Sequence, residues 1–307
     1  MKRLIALSMA TLLSACQTST TPKEAPLEAP QDTTVMSLNQ ASASDAGVRV
    51  ATALTQRYMD TRLNCGANSM PAFLCSGIIL RSTVPAPGSQ YFTWNPSPNS
   101  QKSGGVSFSY LRKDMNFKSL VFGQTSGFIF LPVLNQLPGT RKIEVLCAYP
   151  VDGAAQLRDK PGCGAHPYAP DLSRRCQTIG ITTAEQWIAN KKKNGWNSCS
   201  FDVRDSMNQL AADSFYQSIR AHNLGNYFAG AYDYSELILA TWPQNIPKEL
   251  PIEAFYYITT GLPGAQKDQR DFYAQTAGKV VPVIKLTLPA TNTGNAVFSY
   301  NPADQVH

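Results

Sequence analysis

Short apolar runs bounded by Gly or Pro recur along most of this chain. Eight of these segments are rich in β-branched and aromatic residues and predict strands: 76–83, 104–111, 119–123, 127–133, 141–149, 237–242, 252–259 and 280–288. Long helical segments do not alternate with them in the regular way that a parallel sheet requires. The pattern therefore predicts an α+β fold with mixed or antiparallel sheets and a few helices.

Three other segments have apolar residues at helical spacing. Residues 46–61 place Val50, Leu54 and Tyr58 on one face, after a cap at Ser44 or Asp45. A second helix is predicted to begin after a cap at Asp205 or Ser206 and to end near His222, before Gly225. A third, short helix is predicted to end at Asn190, and its capping box is either Thr183 with Gln186 or Thr182 with Glu185. The glycine-containing segments 123–127 and 261–264 predict turns.

The first sixteen residues, MKRLIALSMATLLSAC, are typical of an export signal with a lipid-attachment site. A cationic start and an apolar stretch too short to span a bilayer precede the Leu-Ser-Ala-Cys sequence that ends at Cys16. We expect a signal peptide over residues 1–15 and a lipid on Cys16 that binds the chain to the membrane. Gln17 favours the outer membrane, by analogy with enteric lipoproteins. The alternative is an ordinary signal peptide followed by a chance cysteine.

Residues 16–44 are dominated by Thr, Ser, Ala, Pro, Gln and Glu, and they predict a flexible, fairly extended linker behind the lipid. Residues 45–307 are predicted to form one large globular domain or two tightly joined ones. No second apolar run in them is long enough to span a bilayer.

The chain has a formal net charge of +6, but only 16% of its residues are charged. The basic residues are scattered, and 191–193 is their only run. A positive surface can attract anionic lipid or a phosphate-bearing ligand. The absence of an Arg-rich stretch with interleaved aromatic residues argues against nucleic-acid binding.

Six cysteines follow Cys16, and an even number in an exported protein predicts three disulfides among fifteen possible connectivities. Cys65 and Cys75 enclose a segment that can turn back on itself. Cys163 and Cys176 enclose a Gly- and Pro-rich loop, which favours a second bridge between them. The two cysteines that are left give the third predicted pair, Cys147–Cys199. No CxxC pair occurs, and only one histidine lies near a cysteine in the sequence, which argues against a metal site.

The chain contains no GxSxG, HExxH, P-loop or GxGxxG motif, and its three histidines do not cluster. An Arg, a pair of serines and a Glu do occur on three predicted strands: Arg81, Ser107 with Ser109, and Glu253. Their order resembles the R-S-E arrangement of NAD-using ADP-ribosyltransferase toxins. Alternatively, Arg81 is a surface charge and Glu253 a polar residue at a strand end.

Several longer segments resemble the halovibrin family of exported bacterial NAD glycohydrolases and ADP-ribosyltransferases. They include PAFLCSGIILRST, TWNPSPNSQKSGGVSFSYLRKD, SFDVRDSMNQLAADSFYQSIRA and LATWPQNIPKELPIEAFYY, and the similarity covers roughly residues 50–290. The resemblance implies an ADP-ribosyltransferase-like core and NAD as a substrate, with no cofactor. It implies hydrolysis of NAD or transfer of ADP-ribose to a protein whose identity the sequence does not reveal.

The resemblance also implies a role for each residue of the trio. Arg81 would hold the pyrophosphate of NAD, and Ser107 or Ser109 would orient the ribose or support the Glu. Glu253 would stabilise the oxocarbenium-like cation as nicotinamide departs. Arginine-modifying transferases place a Glu or Gln two residues before the catalytic Glu. Pro251 occupies that position here, which favours hydrolysis.

Other interpretations of the sequence remain open. Glu236 is a rival carboxylate, and a close pair of Glu236 with Glu253 would suit a glycosidase. A lipid-anchored and disulfide-braced domain can also be a non-enzymatic binding or adhesion module of the cell envelope. The expected location is the envelope in each case, with release to the exterior as a further possibility.

Overall fold

The computed structural model of this chain describes residues 33–66, 70–83, 92–132, 143–151, 175–194, 199–203, 209–225 and 234–307. Residues 40–307 form one compact unit, and the described residues before it, 33–39, are helical. The predicted signal peptide, Cys16 and most of the predicted linker lie outside the described residues. No helix within them is long and apolar enough to cross a membrane.

Eleven strands occur in the described residues: β1 (Asn64–Cys65), β2 (Met70–Pro71), β3 (Ile78–Ser82), β4 (Gly105–Leu111), β5 (Ser126–Phe130), β6 (Val145–Tyr149), β7 (Phe201–Asp202), β8 (Glu236–Ala240), β9 (Ile252–Tyr257), β10 (Val283–Thr287) and β11 (Val297–Tyr300). Nine of them form one sheet in the order β11-β10-β9-β5-β3-β4-β8-β6-β7. Strands β9 and β10 are parallel, and the other neighbours in this sheet are antiparallel. The predicted α+β fold with a mixed sheet is confirmed.

Five α-helices accompany the described strands: α1 (Thr33–Met59), α2 (Pro98–Ser103), α3 (Ala184–Asn194), α4 (Gln209–Gly225) and α5 (Leu262–Gln275). Helices α1, α3 and α4 occur where apolar spacing predicted them, although α1 begins at Thr33 instead of residue 46. Of the two proposed capping boxes, Thr183 with Gln186 is the one that forms. The Thr183 amide donates to Gln186 Oε1 at 3.1 Å, and the Gln186 amide donates to Thr183 Oγ1 at 3.3 Å.

Two local predictions are wrong. The segment predicted as a strand at 119–123 contains a short 3₁₀ helix, Val121–Gly123, in which Phe122 has a φ of 52° and a 68% exposed surface. The segment predicted as a turn at 261–264 begins α5, where Gly261 is the N-cap and Pro263 lies in the first turn. Proline and glycine are compatible with a helix start, so their presence did not exclude one.

The sheet carries a hydrophobic core on each face. On one face, Ile79, Phe108 and Phe255 belong to a cluster that includes side chains of α4 and α5. On the other face, Leu80 and Ala254 belong to a cluster that includes side chains of α1. Alternating residues of the same strands therefore point to opposite cores, as the period of two requires.

The disulfides differ in part from the predicted pairs. Cys65–Cys75 is confirmed, but Cys176 pairs with Cys199, so the predicted Cys163–Cys176 and Cys147–Cys199 bridges are wrong. The physical reason is a parallel bridge between Arg175 and Ser200, which places the neighbouring cysteines side by side with Cα atoms 5.0 Å apart. Cys147 is also disulfide-bonded, and its partner lies outside the described residues.

Candidate functional site

Strands β3 and β4 separate at the centre of the sheet. Their last paired residues are Leu80 and Ser109. Beyond that pair, Arg81 on β3 pairs with Phe128 of β5, while Ser107 on β4 pairs with β8. We name this separation the β3–β4 gap. It is bordered by Arg81 on one side and by Ser107 on the other.

A chain of hydrogen bonds crosses the β3–β4 gap. Arg81 Nη1 donates to the carbonyl oxygen of Ser107 at 3.1 Å. The Ser107 hydroxyl in turn donates to Glu236 Oε1. Glu236 is the first residue of β8, only 2% of its surface is exposed, and it stands opposite Ser109. The structure thus joins three strands through an arginine, a serine and a buried carboxylate.

The strand period explains how these side chains meet. Ser107 and Ser109 are two residues apart on β4 and therefore share one face, on which Glu236 also lies. Arg81 belongs to the opposite face, together with Ile79. Its side chain is long enough to reach the backbone carbonyl at the border of the gap, where β3 and β4 are no longer paired.

Glu253 lies elsewhere in the sheet. It is on β9, which is three strand positions from β4, and this corresponds to about 14 Å. Its carboxylate is held by Arg57 of α1, with Nη1 to Oε1 at 3.0 Å and Nη2 to Oε2 at 2.5 Å. The two side chains are 13% and 8% exposed. The structure therefore brings Arg81 and Ser107 together, but it does not bring Glu253 to them.

Glu236 and Glu253 do not form a carboxyl pair. Four strand spacings separate β8 from β9, which corresponds to about 19 Å. Glycosidases that use two carboxyl groups place them about 5 to 9.5 Å apart. The geometry argues against a glycosidase mechanism with these two residues.

The sequence contained a signal for Glu236, although an ambiguous one. Glu236 opens the apolar strand ELILA, just as Glu253 lies at the start of IEAFYY. Both therefore fit the pattern of a Glu that leads an apolar strand. The pattern cannot tell which of the two strands lies beside Ser107, because strand order depends on the whole topology.

Two buried titratable groups outside the gap have perturbed pKa values. Burial raises the pKa of Asp268 on α5 to about 7, against a hydrogen bond from Thr93 Oγ1 at 2.6 Å. Burial, together with the charge of Lys191, lowers the pKa of His222 on α4 to about 4. No group of three or more His, Cys, Asp or Glu residues in the described part of the chain is arranged to hold a metal ion.

Comparisons of this chain with protein-family models, with curated proteins and with solved structures found no match. A functional assignment must therefore be argued from the chemistry of the site itself. The resemblance to halovibrins and the ADP-ribosyltransferase-like core stay predictions.

Proposed function

We propose that this chain cleaves the bond between nicotinamide and ribose in NAD, and that its catalytic carboxylate is Glu236 instead of Glu253. The observation that carries the proposal is the hydrogen-bonded chain from Arg81 through Ser107 to Glu236. It keeps the order of Arg, Ser and Glu that the sequence resemblance requires. It also joins the three residues in space, whereas the Glu253 carboxylate is bound to Arg57.

The environment of Glu236 suits stabilisation of a cation. In the proposed reaction the bond between C1′ and the nicotinamide nitrogen breaks, and its electron pair neutralises the pyridinium ring. The ribose then carries positive charge at C1′ and O4′. A buried carboxylate held in place by the Ser107 hydroxyl stabilises that charge more strongly than a solvated one. Water adds to C1′ and loses a proton, which yields ADP-ribose and neutral nicotinamide.

Arg81 is suited to the phosphate end of the substrate. A guanidinium carries five N–H donors in a fixed planar arrangement, so a bond to Ser107 can coexist with bonds to phosphate oxygens. The same bond fixes the side chain at the border of the β3–β4 gap. Arg81 would then bind the phosphate groups of NAD from a fixed position beside Ser107.

The residue two positions before Glu236 favours water as the acceptor. Tyr234 occupies that position, is buried, and packs edge-on against Phe117 with ring centroids 6.3 Å apart. The resemblance implies that arginine-modifying transferases need a Glu or Gln there. The proposed activity is therefore hydrolysis of NAD, which is also what Pro251, two residues before Glu253, predicts.

The proposed enzyme would act outside the cytoplasm, as an exported lipoprotein of the halovibrin family. This part of the proposal rests on the export signal and on Cys16. Expression of the full chain and of its Cys16→Ser variant with a radiolabelled fatty acid tests it. We expect the full chain to carry the label and to associate with the membrane, and the Cys16→Ser variant to do neither. A full chain that is secreted without the label would contradict the lipid anchor.

Incubation of the purified chain with NAD, followed by measurement of free nicotinamide, tests the activity. We expect Glu236→Gln and Ser107→Ala to lower kcat, the former by about 100-fold or more. Glu253→Gln should keep kcat within a few-fold and instead lower the free energy of unfolding, because it leaves Arg57 without its carboxylate.

Two results would overturn parts of this proposal. Loss of activity in Glu253→Gln with full activity in Glu236→Gln would return the catalytic role to Glu253. NAD left intact by the wild-type chain would reject the enzyme and favour the non-enzymatic envelope-binding protein.

A further inference from the structure

A β-bulge in β6 determines which side chain stands next to Glu236. Strand β6 pairs with β8 at Val145 and Leu239, and a regular ladder from that pair would bring Ala148 opposite Glu236. The register shifts by one residue between Val145 and Cys147. Tyr149 therefore takes the place opposite Glu236. Bulges occur next to active sites, where they redirect a side chain.

The bulge encloses Glu236 between two different neighbours. Ser109 of β4 stands opposite it on one side and Tyr149 of β6 on the other. Side chains that face each other in this way have Cβ atoms about 5 Å apart, within reach of an aromatic ring. Tyr149 is only 5% exposed and belongs to a small apolar cluster with Cys147 and Ile238. Glu236 thus has a serine as its neighbour on one side and an aromatic residue on the other.

We propose that Tyr149 is a positioning residue for Glu236, an inference that rests on the proposed function. Its ring occupies the β6 side of the carboxylate and excludes water there. Glu236 is then confined to the side of Ser107, where the hydrogen bond holds it. A confined and poorly hydrated carboxylate loses little energy to reorganisation when the ribose cation forms. The proposed role belongs to the aromatic ring of Tyr149.

Variants of Tyr149 in the full chain distinguish the effect of the aromatic ring from that of the phenolic hydroxyl. Tyr149→Leu keeps the site apolar but removes the flat ring, and Tyr149→Phe removes only the hydroxyl. We expect Tyr149→Leu to lower kcat for NAD cleavage about 10- to 100-fold with little change in KM, since misplacement of a catalytic group costs this much. Tyr149→Phe should stay within about twofold of wild type.

Tyr300→Leu is the matched control. Tyr300 lies on β11, at the opposite edge of the sheet from the β6 side. The same substitution there should leave kcat unchanged. Circular dichroism and thermal unfolding of each variant identify any loss of folding. Equal kcat in Tyr149→Leu and wild type would overturn the inference, as would an equal loss in Tyr149→Phe and Tyr149→Leu.

A chemical measurement tests the inference without NAD. Carbodiimide with glycine ethyl ester modifies accessible carboxylates, and peptide mass spectrometry gives the extent of modification at Glu236. We expect a several-fold increase in Tyr149→Leu and none in Tyr149→Phe, with the exposed Glu185 as the reference carboxylate in each sample. If wild type leaves NAD intact while the labelling follows this order, the proposed function fails and the positioning stands. Unchanged labelling in Tyr149→Leu overturns the positioning even if NAD is cleaved.

Discussion

Asp268 and His222 have pKa values shifted in opposite directions by the same cause, which is burial. The pKa of Asp268 rises from 3.8 to about 7, so the folded state holds a proton that the unfolded state releases. Its stabilising effect is complete below about pH 4 and is lost as the pH rises to 7.

The pKa of His222 falls from 6.5 to about 4. Its stabilising effect is complete above pH 6.5 and is lost as the pH falls to 4. Each slope is at most about 1.4 kcal/mol per pH unit, and the two oppose each other between pH 4 and 6.5.

Single substitutions should reveal the two slopes separately. Asp268→Asn removes one of them, so the free energy of unfolding should fall more steeply on acidification from pH 6.5 to 4 than in wild type. His222→Gln removes the other, so stability should fall more steeply as the pH rises over the same range. Chemical denaturation at several pH values measures both. Parallel pH profiles for wild type and both variants would contradict the assignment to these residues.

At the level of the strands, Gly127 determines how closely β5 can lie to β3. A Cβ atom at this position would lie 1.9 Å from the carbonyl oxygen of Arg81, which is far inside van der Waals contact. Gly127 pairs with Ser82 at this point in the sheet. The absence of a side chain therefore allows the two strands to meet beside the β3–β4 gap.

Gly127→Ala should push β3 away from β5 and displace Arg81. We expect a loss of stability of about 3 kcal/mol, because the obstacle is backbone and cannot rotate away, and a decrease in NAD cleavage. Gly180→Ala is a suitable control. Gly180 has a φ of +77° but no atom within 4 Å of the added Cβ, so only the strain of about 1 kcal/mol applies. Equal destabilisation of the two variants would contradict the steric argument.

The elements themselves were mostly predictable, and their exceptions have local reasons. Segments such as 252–259 and 280–288 were predictable because they are rich in β-branched and aromatic residues over a full strand length. Helix α5 was not predicted because it starts with the sequence Gly-Leu-Pro-Gly at 261–264, which has the composition of a turn. The segment 119–123 had the composition of a strand, yet Phe122 adopts a left-handed φ of 52°.

On the scale of the whole molecule, the Cys176–Cys199 bridge joins segments that the sheet brings together. It connects the residues around Arg175 with those that lead into β7. Closing a loop with a sequence separation of 23 reduces the entropy of the unfolded chain and corresponds to about 3 kcal/mol.

The double variant Cys176→Ser and Cys199→Ser should therefore lose about 3 kcal/mol of stability. The matched double variant at Cys65 and Cys75, with a separation of 10, should lose slightly less because the closed loop is shorter. Non-reducing peptide mapping checks the pairing directly. A peptide that links Cys176 to Cys163 would contradict it.

Local patterns in the chain were sufficient for the class of fold, for most elements, and for Arg81 and Ser107 as residues of interest. These properties depend on neighbours along the chain, so their signal is contained in short stretches of sequence. Local patterns could not distinguish Glu236 from Glu253 as the carboxylate near Ser107, because both residues lead apolar strands. Only the strand order places β8, and not β9, beside β4. The pairing of Cys176 with Cys199 and the placement of Tyr149 by a one-residue bulge depended on tertiary structure for the same reason. Contacts between residues far apart in the chain are decided by how the strands align, and no local pattern encodes that alignment.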